Sequence, residues 1–421
     1  MARATRTKAT GEPSAPELIV ARNAGREPER LAMKYRTMRS APFPFLRGTT
    51  DLFYRRLTEH GLAPDGPPVW SSGDQHLENF GTYLGSNRLA YFDLNDFDGG
   101  MLAPAPWDVL RLVTSLLIAA PTLHMKRSEI DQLSREAAET WRETLVAGKT
   151  GWIERRTADG IIGDLLTGLK KRDPVAFLDK RTVLKKGVRT LRADGRKMLP
   201  VPDSNKQAFR KWLHEQMDGS GYERGFFTLL DAARRVAGVD SLGSTRFALL
   251  IEGTGSPNGN LLLEVKSAQP SAGAPFSPCR QPNWQTEAHR IVDVQKRCEA
   301  VPPDFLRAVV FGGEPCIVKL LQPEQDKLDL IAASTQPERL GGAVHTMAQL
   351  VAWAHLRSSG RQGSATTDEL IAFGAMKGFG KRLLEIAHRM EEFVLTDWKA
   401  FCAAYDAGDM GVGPDGKPTS G

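Results

Sequence analysis

The stretches Gly73-Asp74-Gln75-His76-Leu77-Glu78-Asn79 and Phe92-Asp93-Leu94-Asn95-Asp96 decide how this sequence is interpreted. Each follows a short strand-like run, the first beginning at Val69 and the second at Leu89. Between them Gly85-Ser86-Asn87 is typical of a turn. We therefore predict a hairpin that joins the two runs and presents an acidic loop beside each of them.

The composition is that of a globular protein with two lobes. A chain of 421 residues is too long for one simple core, and 41% apolar with 25% charged residues is ordinary for a globular protein. The net charge of +6 suits anionic ligands, but without a clustered basic patch it gives no reason to expect nucleic acid. The 4 cysteines form no CxxC pair, which argues against disulfides and zinc. The basic amino terminus lacks an apolar core and no run is long enough to span a membrane, so we expect a cytoplasmic protein.

The residue pattern divides the chain into five segments. They are a flexible basic tail (1–30), a helical lobe with the acidic loops (31–235), a small β-rich lobe (236–330), helices that return to the helical lobe (331–410) and a disordered tail (411–421). Within the helical lobe, residues 170–197 carry eleven Lys or Arg against three Asp. This basic stretch is either a solvated face or a surface for an anionic substrate or partner.

The two acidic loops have the residues that phosphoryl transfer requires. That reaction needs a carboxylate to orient the attacking hydroxyl, ligands for Mg²⁺ and cations on the phosphates. Asp74 and Asn79, five residues apart, suit the first two needs, with the carboxylate facing the acceptor and the amide oxygen facing the metal. Asp93 follows fourteen residues after Asn79, with Asp96 and Asp98 close behind it.

The same segments resemble known families. Ser72-Gly73-Asp74-Gln75-His76-Leu77-Glu78-Asn79-Phe80 resembles the GDxHxxN catalytic loop of aminoglycoside phosphotransferases and choline kinase-like enzymes. Phe92 to Gly100 followed by Pro106-Trp107-Asp108 resembles their metal-binding segment and the helix after it. Together with Pro42 to Gly48 and Leu261 to Lys266, the chain resembles most closely the bacterial domain-of-unknown-function 2252 family, which is grouped with protein kinase-like folds.

The resemblance implies a role for each acidic-loop residue. Asp74 would be the catalytic base, Asn79 a magnesium ligand and Asp93 the principal metal carboxylate. Asp96 is the rival of Asp93, because Asp96-Phe97-Asp98-Gly99 is similar to the DFG turn of kinases. His76 would be structural, its ring bracing the loop.

A nucleotide site is expected in the β-rich lobe. A Gly-rich turn before a strand can cradle phosphates, and its candidate residues are Gly238, Ser241, Gly243, Ser244 and Arg246. The family has glycine where this chain has Asp240, which puts the role of the turn in doubt. Lys266 ends the strand-like run Leu261-Leu262-Leu263-Glu264-Val265-Lys266 and needs an anionic partner. ATP phosphates and a helix acid would supply it, with Asp293 as first choice by match to the family and Glu287 or Glu299 as alternatives.

The order of these parts is unusual. In ordinary kinases the Gly-rich turn and the lysine precede the catalytic loop. Here Lys266 follows Asp74, and Val351 to Gly360, which resembles the helix that leads into a catalytic loop, lies near the carboxyl end. We therefore predict an α+β, protein kinase-like two-lobed fold, circularly permuted, with a mainly helical C-lobe and a small antiparallel N-lobe.

These inferences together predict an enzyme. We expect an ATP- and Mg²⁺-dependent phosphotransferase that acts on a hydroxyl of a small molecule or protein, with an acceptor that is anionic if the basic stretch 170–197 binds it. The alternatives are a pseudokinase-like nucleotide sensor and an AMP-transferring variant of the same fold. A metal-dependent hydrolase built from Asp93, Asp96, Asp98 and His76 is a third interpretation, but it leaves Lys266 and the Gly-rich turn unexplained.

Overall fold

The fold is α+β with antiparallel sheets, as the sequence predicts. The computed structural model describes residues 12–195, 197–217, 221–223, 225–236, 245–321, 327–413 and 417. These residues form fourteen α-helices and twelve β-strands. The four cysteines are free, and two of them are buried. Among the described residues, no helix is both long and apolar enough to cross a membrane.

Four helices open the chain: α1 (Ala15–Arg22), α2 (Pro28–Ser40), α3 (Pro42–Gly48) and α4 (Thr50–Glu59). The structure differs here from the flexible tail that we predict for residues 1–30. A capping box between Ser14 and Glu17 begins α1, and Ala15 and Ile19 are each only 3% exposed. Burial of these apolar side chains holds the segment against the helical core.

The acidic loops connect four short strands: β1 (Pro68–Ser71), β2 (Phe80–Leu84), β3 (Ala90–Leu94) and β4 (Met101–Pro104). The structure corrects the predicted hairpin, because β1 pairs with β4 whereas β2 pairs with β3. The turn at Gly85 therefore closes the β2–β3 hairpin. Both acidic loops remain at strand ends, one after β1 and the other between β3 and β4.

The next part of the chain alternates helices and short strands. Its elements are α5 (Pro106–Ala119), α6 (Arg127–Ala147), α7 (Gly160–Lys170), α8 (Pro174–Arg181), β5 (Thr182–Lys185), β6 (Val188–Leu191), β7 (Met198–Pro200), α9 (Asp203–Met217) and β8 (Leu229–Arg235). Every residue of α5 is buried, which makes this helix the centre of the larger core. β5 and β6 form a hairpin that turns at Lys186 and Gly187, both with positive φ.

One antiparallel sheet of six strands forms the smaller part of the molecule. It contains β9 (Arg246–Ile251) and β10 (Leu261–Ser267), then, after α10 (Glu287–Cys298), β11 (Arg307–Phe311) and β12 (Glu314–Leu320). The strand order is β11-β12-β10-β9-β8-β7, and separate apolar clusters cover the sheet. Because β7 and β8 precede residue 236, the sheet begins earlier than the predicted lobe boundary.

The last four helices pack in the larger core: α11 (Leu330–Ser334), α12 (Pro337–Arg357), α13 (Thr367–Gly374) and α14 (Phe379–Ala407). The turn after α12 lies beside β1. There the Ala365 amide donates to the Pro68 carbonyl at 2.7 Å and the Trp70 indole donates to the Arg361 carbonyl at 2.9 Å. In the predicted disordered tail 411–421, only 411–413 and 417 are described, and Val412 is buried.

Candidate functional site

A cavity of about 650 Å³ lies between the helical part and the six-stranded sheet. The acidic loops supply one part of its lining: Asp74, His76, Asn79, Asn95, Asp96 and Asp98. The sheet supplies another: Arg235, Arg246, Glu264, Lys266, Glu314, Ile317 and Lys319. The predicted phosphate-cradling residues Gly238, Ser241, Gly243 and Ser244 lie outside the described residues, but Arg246 lines the cavity.

Two glycines hold the acidic loops against each other. Gly73 has a positive φ of 80°, and a β-carbon there would lie 1.9 Å from the carbonyl oxygen of Gly99. Only a residue without a side chain permits this contact between two backbones. The contact places the loop after β1 and the loop after β3 side by side at the cavity.

Asp74 is held by a buried arginine. The Arg111 guanidinium on α5 contacts the carboxylate through both Nε, at 2.6 Å, and Nη2. Arg111 is 0% exposed, and it also donates to the carbonyl of Leu46 and the hydroxyl of Thr50, both at 3.1 Å. Both nitrogens contact the same oxygen, Oδ1, so Arg111 anchors one end of the Asp74 carboxylate. The Asp74 side chain keeps 20% of its surface exposed.

The backbone of this loop orients Asn79. Its amide nitrogen donates to the Asp74 carbonyl, which turns the side-chain oxygen away as a remaining acceptor. His76 is 2% exposed, accepts from the Glu78 amide at 3.1 Å and packs edge-on against Phe43. Burial, with the cations Arg47 and Arg111 nearby, lowers the pKa of His76 well below its usual value. The neutral ring is therefore placed inside the loop as a structural element.

Lys266 meets the second acidic loop. Its ammonium group contacts the Asp98 carboxylate directly and lies 4.0 Å from that of Asp96. Withdrawal from bulk water raises the pKa of Asp98, and the Asp96 charge adds to this effect. For Asp96 the same withdrawal is outweighed by Lys266 and further cations, so its pKa is lowered. Asp96 thus lies in the cavity as a carboxylate, with its side chain 47% exposed.

Asp93, which we predict as the principal metal carboxylate, is placed elsewhere. It is 2% exposed, does not line the cavity, and accepts from Arg357 of α12 at 3.1 Å and from the Leu94 amide at 2.9 Å. Burial raises the pKa of Asp93. The physical reason is position: Asp93 still belongs to β3 and faces the interior, whereas Asp96 lies beyond the strand end and is free to face the cavity.

Asp293, the predicted partner of Lys266, also faces away from the cavity. Its side chain is 45% exposed and lies 4.0 Å from Arg297. On α10, Ile291 and Gln295 line the cavity. Asp293 is two positions from each of them, which places it about 200° around the helix, on the opposite face. Of the alternatives, Glu287 pairs with Arg290 at 2.6 Å, and Glu299 is buried and accepts from Gln295 at 2.9 Å.

The donor set in the cavity suits Mg²⁺ held jointly with a nucleotide. Among the described residues, no three side chains of His, Cys, Asp or Glu converge closely enough to form a metal centre. Mg²⁺ is usually bound by one or two carboxylates plus substrate phosphates. Asp96 and the side-chain oxygen of Asn79 are the cavity residues that fit this role. The four residues of the hydrolase interpretation are not grouped in this way, because Asp93 lies off the cavity.

Comparison with known proteins finds one family. Residues 26–404 match the family described as "Uncharacterized protein conserved in bacteria (DUF2252)". The chain belongs to this family. No curated protein and no solved structure matches the DUF2252 chain.

Several residues that build the site of this DUF2252 protein are missed by sequence reasoning. Arg290 of α10 is 4% exposed and donates to the carbonyls of Asp98, at 2.9 Å, and Gly100, at 2.6 Å. These two hydrogen bonds hold the backbone of the second acidic loop in place. Arg111 fixes the first loop in a comparable way. Arg111 lies within the strongly apolar α5, and Arg290 lies on the buried face of the amphipathic α10. A charged residue on a buried face is the signal that could have identified them.

A buried cluster anchors β1 before the first loop. Asp108 accepts from the Ser71 hydroxyl at 2.6 Å and faces His355 Nε2 at 3.1 Å, and Ser71 Oγ accepts from the Gly73 amide at 2.9 Å. Asp108, Ser71 and His355 are each at most 2% exposed. The carboxylate lies between the hydroxyl and the imidazole, so this cluster lacks the serine–histidine contact of a nucleophilic triad and serves to position the loop.

We expect Asp108→Asn to destabilise the fold. The amide retains one acceptor but brings an NH₂ group to a fully buried position, and a buried polar group without a matching partner costs about 1–3 kcal/mol. Urea denaturation should show this loss in the free energy of unfolding, whereas Asp368→Asn, on the exposed surface of α13, should leave it unchanged. Equal stability of the two variants would contradict an anchoring role for Asp108.

Proposed function

We propose that this DUF2252 protein is an ATP- and Mg²⁺-dependent phosphotransferase that phosphorylates a hydroxyl group. One observation carries the proposal: a single cavity is lined by Asp74, Asn79 and Asp96 of the acidic loops and by Lys266, which is distant from them in sequence. These are a carboxylate for the acceptor, oxygen ligands for Mg²⁺ and a buried cation for phosphate, which are the parts that phosphoryl transfer requires. We also propose that it acts in the cytoplasm, where both ATP and Mg²⁺ are available.

The proposed step transfers the γ-phosphoryl group in line. The acceptor oxygen forms a bond to the γ-phosphorus while the bond from that phosphorus to the β–γ bridging oxygen breaks, and ADP leaves with the electron pair. The hydroxyl proton passes to Asp74. Because the transition state is loose, orientation of the hydroxyl matters more than base strength, so the ion pair between Asp74 and Arg111 is compatible with this role.

A kinase-like, circularly permuted architecture is part of the proposal. Its support is the contact between the turn after α12 and β1, where Ala365 bonds to Pro68 although the two are far apart in sequence. In a kinase the corresponding helix runs directly into the catalytic loop. Here the two segments are adjacent in space but reversed in chain order, as a permutation requires.

The second candidate is a nucleotide sensor that transfers nothing. The Asp74–Arg111 pair favours it, because one oxygen of the carboxylate is already engaged by a buried arginine. An AMP-transferring enzyme would use the same cavity with the nucleotide reversed.

One experiment separates these functions. The protein is incubated with Mg²⁺ and ATP labelled either at the γ-phosphate or at the α-phosphate, with and without a metabolite extract. Transfer of the γ label alone supports the proposed phosphotransferase, and transfer of the α label identifies an AMP transferase. Nucleotide binding without transfer of either label supports the sensor, and absence of nucleotide binding refutes all three.

Asp96 and Asp93 should differ in their effect on metal dependence. We expect Asp96→Asn to raise the Mg²⁺ concentration needed for half-maximal nucleotide binding roughly tenfold or more, because it removes a carboxylate ligand. A hydrogen bond to a charged group contributes about 1.5–3 kcal/mol, which corresponds to a change of this size. Asp93→Asn should leave the Mg²⁺ requirement unchanged and lower the unfolding temperature, since it weakens the buried contact with Arg357. Magnesium titrations monitored by nucleotide binding would check both, and the reverse pattern would restore Asp93 as the metal ligand.

A further inference from the structure

The cavity has a second group of cations that the nucleotide does not account for. Besides the sheet residues, it is lined by Arg22 at the end of α1, Arg26 in the following turn, Arg47 of α3 and Lys327 before α11. All four come from the helical side of the molecule. We define them as the helical cation wall. By contrast, no described residue of the basic stretch 170–197 lines the cavity.

The sheet already supplies cations for a nucleotide. Lys266 lies at the acidic loops, and Arg235, Arg246 and Lys319 surround Glu264. Burial opposes ionisation of Glu264, but these cations outweigh that effect and hold its pKa far below the usual range. A triphosphate on this side would therefore meet several positive groups without any help from the helical cation wall.

On the helical side, two cations share one carboxylate. Arg47 donates to Glu78 at 2.7 Å, and Lys327 lies 3.5 Å from the same oxygen. The nearby Asp74 cannot balance them, because it is paired with Arg111. The Arg47 side chain lines the cavity with 18% of its surface exposed, and that of Lys327 lines it with 44% exposed. An anionic ligand in the cavity can therefore reach both cations, whose two charges the single Glu78 carboxylate does not neutralise.

The amino-terminal segment adds to this wall. The buried residues Ala15 and Ile19 attach α1 to the helical core, and Glu27 pairs with Arg234 of β8 at 2.6 Å. The stretch between these two attachments, which is the end of α1 and the following turn, carries Arg22 and Arg26 along the cavity. The segment thus runs from the helical part to the sheet and keeps both arginines at the site.

We infer that the acceptor of the proposed reaction carries an anionic group of its own, a phosphate or a carboxylate, bound by the helical cation wall at Arg47 and Lys327. The inference rests on the proposed function. The acceptor hydroxyl would face Asp74 and the γ-phosphate, and its anionic group would contact the exposed part of the Arg47 guanidinium and the Lys327 ammonium. Guanidinium groups bind phosphate and carboxylate through two parallel hydrogen bonds, which suits this position. A cationic acceptor would be repelled from the same wall.

The test measures anion binding to the nucleotide-loaded protein. Inorganic phosphate, and separately acetate, are titrated calorimetrically into protein saturated with Mg²⁺ and a non-hydrolysable ATP analogue, so that the sheet side is occupied. We expect saturable binding of at least one anion, and the preferred anion identifies which group the acceptor carries. Arg47→Gln should weaken that binding tenfold or more, as should Lys327→Gln, which lies at the rim and is the variant of lower structural risk.

The controls separate this inference from the proposed function. Arg389→Gln removes an exposed arginine that also pairs with a glutamate, Glu392 at 3.2 Å, and should leave anion binding unchanged. Arg47→Gln should bind the ATP analogue as the wild type does. Anion binding that is absent from the loaded wild type, or equal in the wild type and in both cavity variants, would overturn the inference while leaving nucleotide binding intact. Loss of analogue binding in the wild type itself would instead refute the proposed function.

Discussion

Asp74→Asn should abolish phosphoryl transfer while leaving nucleotide binding intact. Removal of a positioned acid–base group lowers a rate by about 10²- to 10⁴-fold. The asparagine would still accept a hydrogen bond from Arg111, so the loop should keep its shape, but it can neither take the hydroxyl proton nor hold the hydroxyl by charge. The measurement is the rate of γ-label transfer in a single turnover, beside the dissociation constant of Mg²⁺·ATP.

The variant needs a stability check and a matched control. Arg111 is fully buried, and removing the partner of a buried ion pair costs about 3–5 kcal/mol, although the retained hydrogen bond should reduce this loss. Thermal unfolding would verify that Asp74→Asn is folded at the assay temperature. Asp65→Asn makes the same change at an exposed position away from the cavity and should transfer normally. Full transfer by a folded Asp74→Asn would remove Asp74 from the mechanism.

The local sequence pattern was sufficient to predict those strands and turns whose tertiary contacts agree with their own residue preferences. The run from Leu261 to Lys266, which the sequence predicts to be a strand, forms β10. β11 and β12 turn at Gly312 and Gly313, both with positive φ, a conformation that glycine adopts without strain. In each case the local preference and the tertiary contacts favour the same structure.

The sequence did not indicate which strands pair with each other. β1 pairs with β4, a four-residue strand that ends in Pro104 and carries no strand signal of its own. The pairing depends on the contact between Gly73 and Gly99, which exists only once both loops are folded. β8 was missed for a different reason. Its sequence Leu-Leu-Asp-Ala-Ala-Arg-Arg favours a helix, and pairing with β9 overrides that preference.

Asp93 and Asp293, the predicted partners of the metal and of Lys266, face away from the cavity, because the sequence does not show the direction of their side chains. Asp93 and Asp96 are three residues apart, yet one faces Arg357 and the other the cavity. The contact that orients Asp93 comes from Arg357 of α12, more than 260 residues away in sequence. The residues around Asp93 therefore give no indication of it. The helical cation wall was missed in a similar way, because Arg22 and Arg26 belong to a segment whose composition suggests a flexible tail.

Lys266→Met should weaken nucleotide binding more than any other single change in the sheet. Methionine keeps the length and apolar stem of lysine, so the 5% exposed position on β10 should remain filled. What is lost is one cation on the phosphates. A hydrogen bond to a charged group contributes about 1.5–3 kcal/mol, so the dissociation constant of Mg²⁺·ATP should rise roughly 10- to 100-fold. Calorimetric titration of the ATP analogue measures this directly.

The same substitution should affect metal binding in the opposite direction, which distinguishes a phosphate-binding lysine from a structural one. In the wild type Lys266 contacts Asp98 and lies near Asp96, so it competes with a cation for these carboxylates. Without it, Mn²⁺ should bind the nucleotide-free protein at least as tightly as before. Lys211→Met, on the exposed face of α9, should change neither quantity. If Lys266→Met lowers ATP and Mn²⁺ binding together with the unfolding temperature, Lys266 only holds the acidic loop in place, and the nucleotide must be bound by other cations of the sheet.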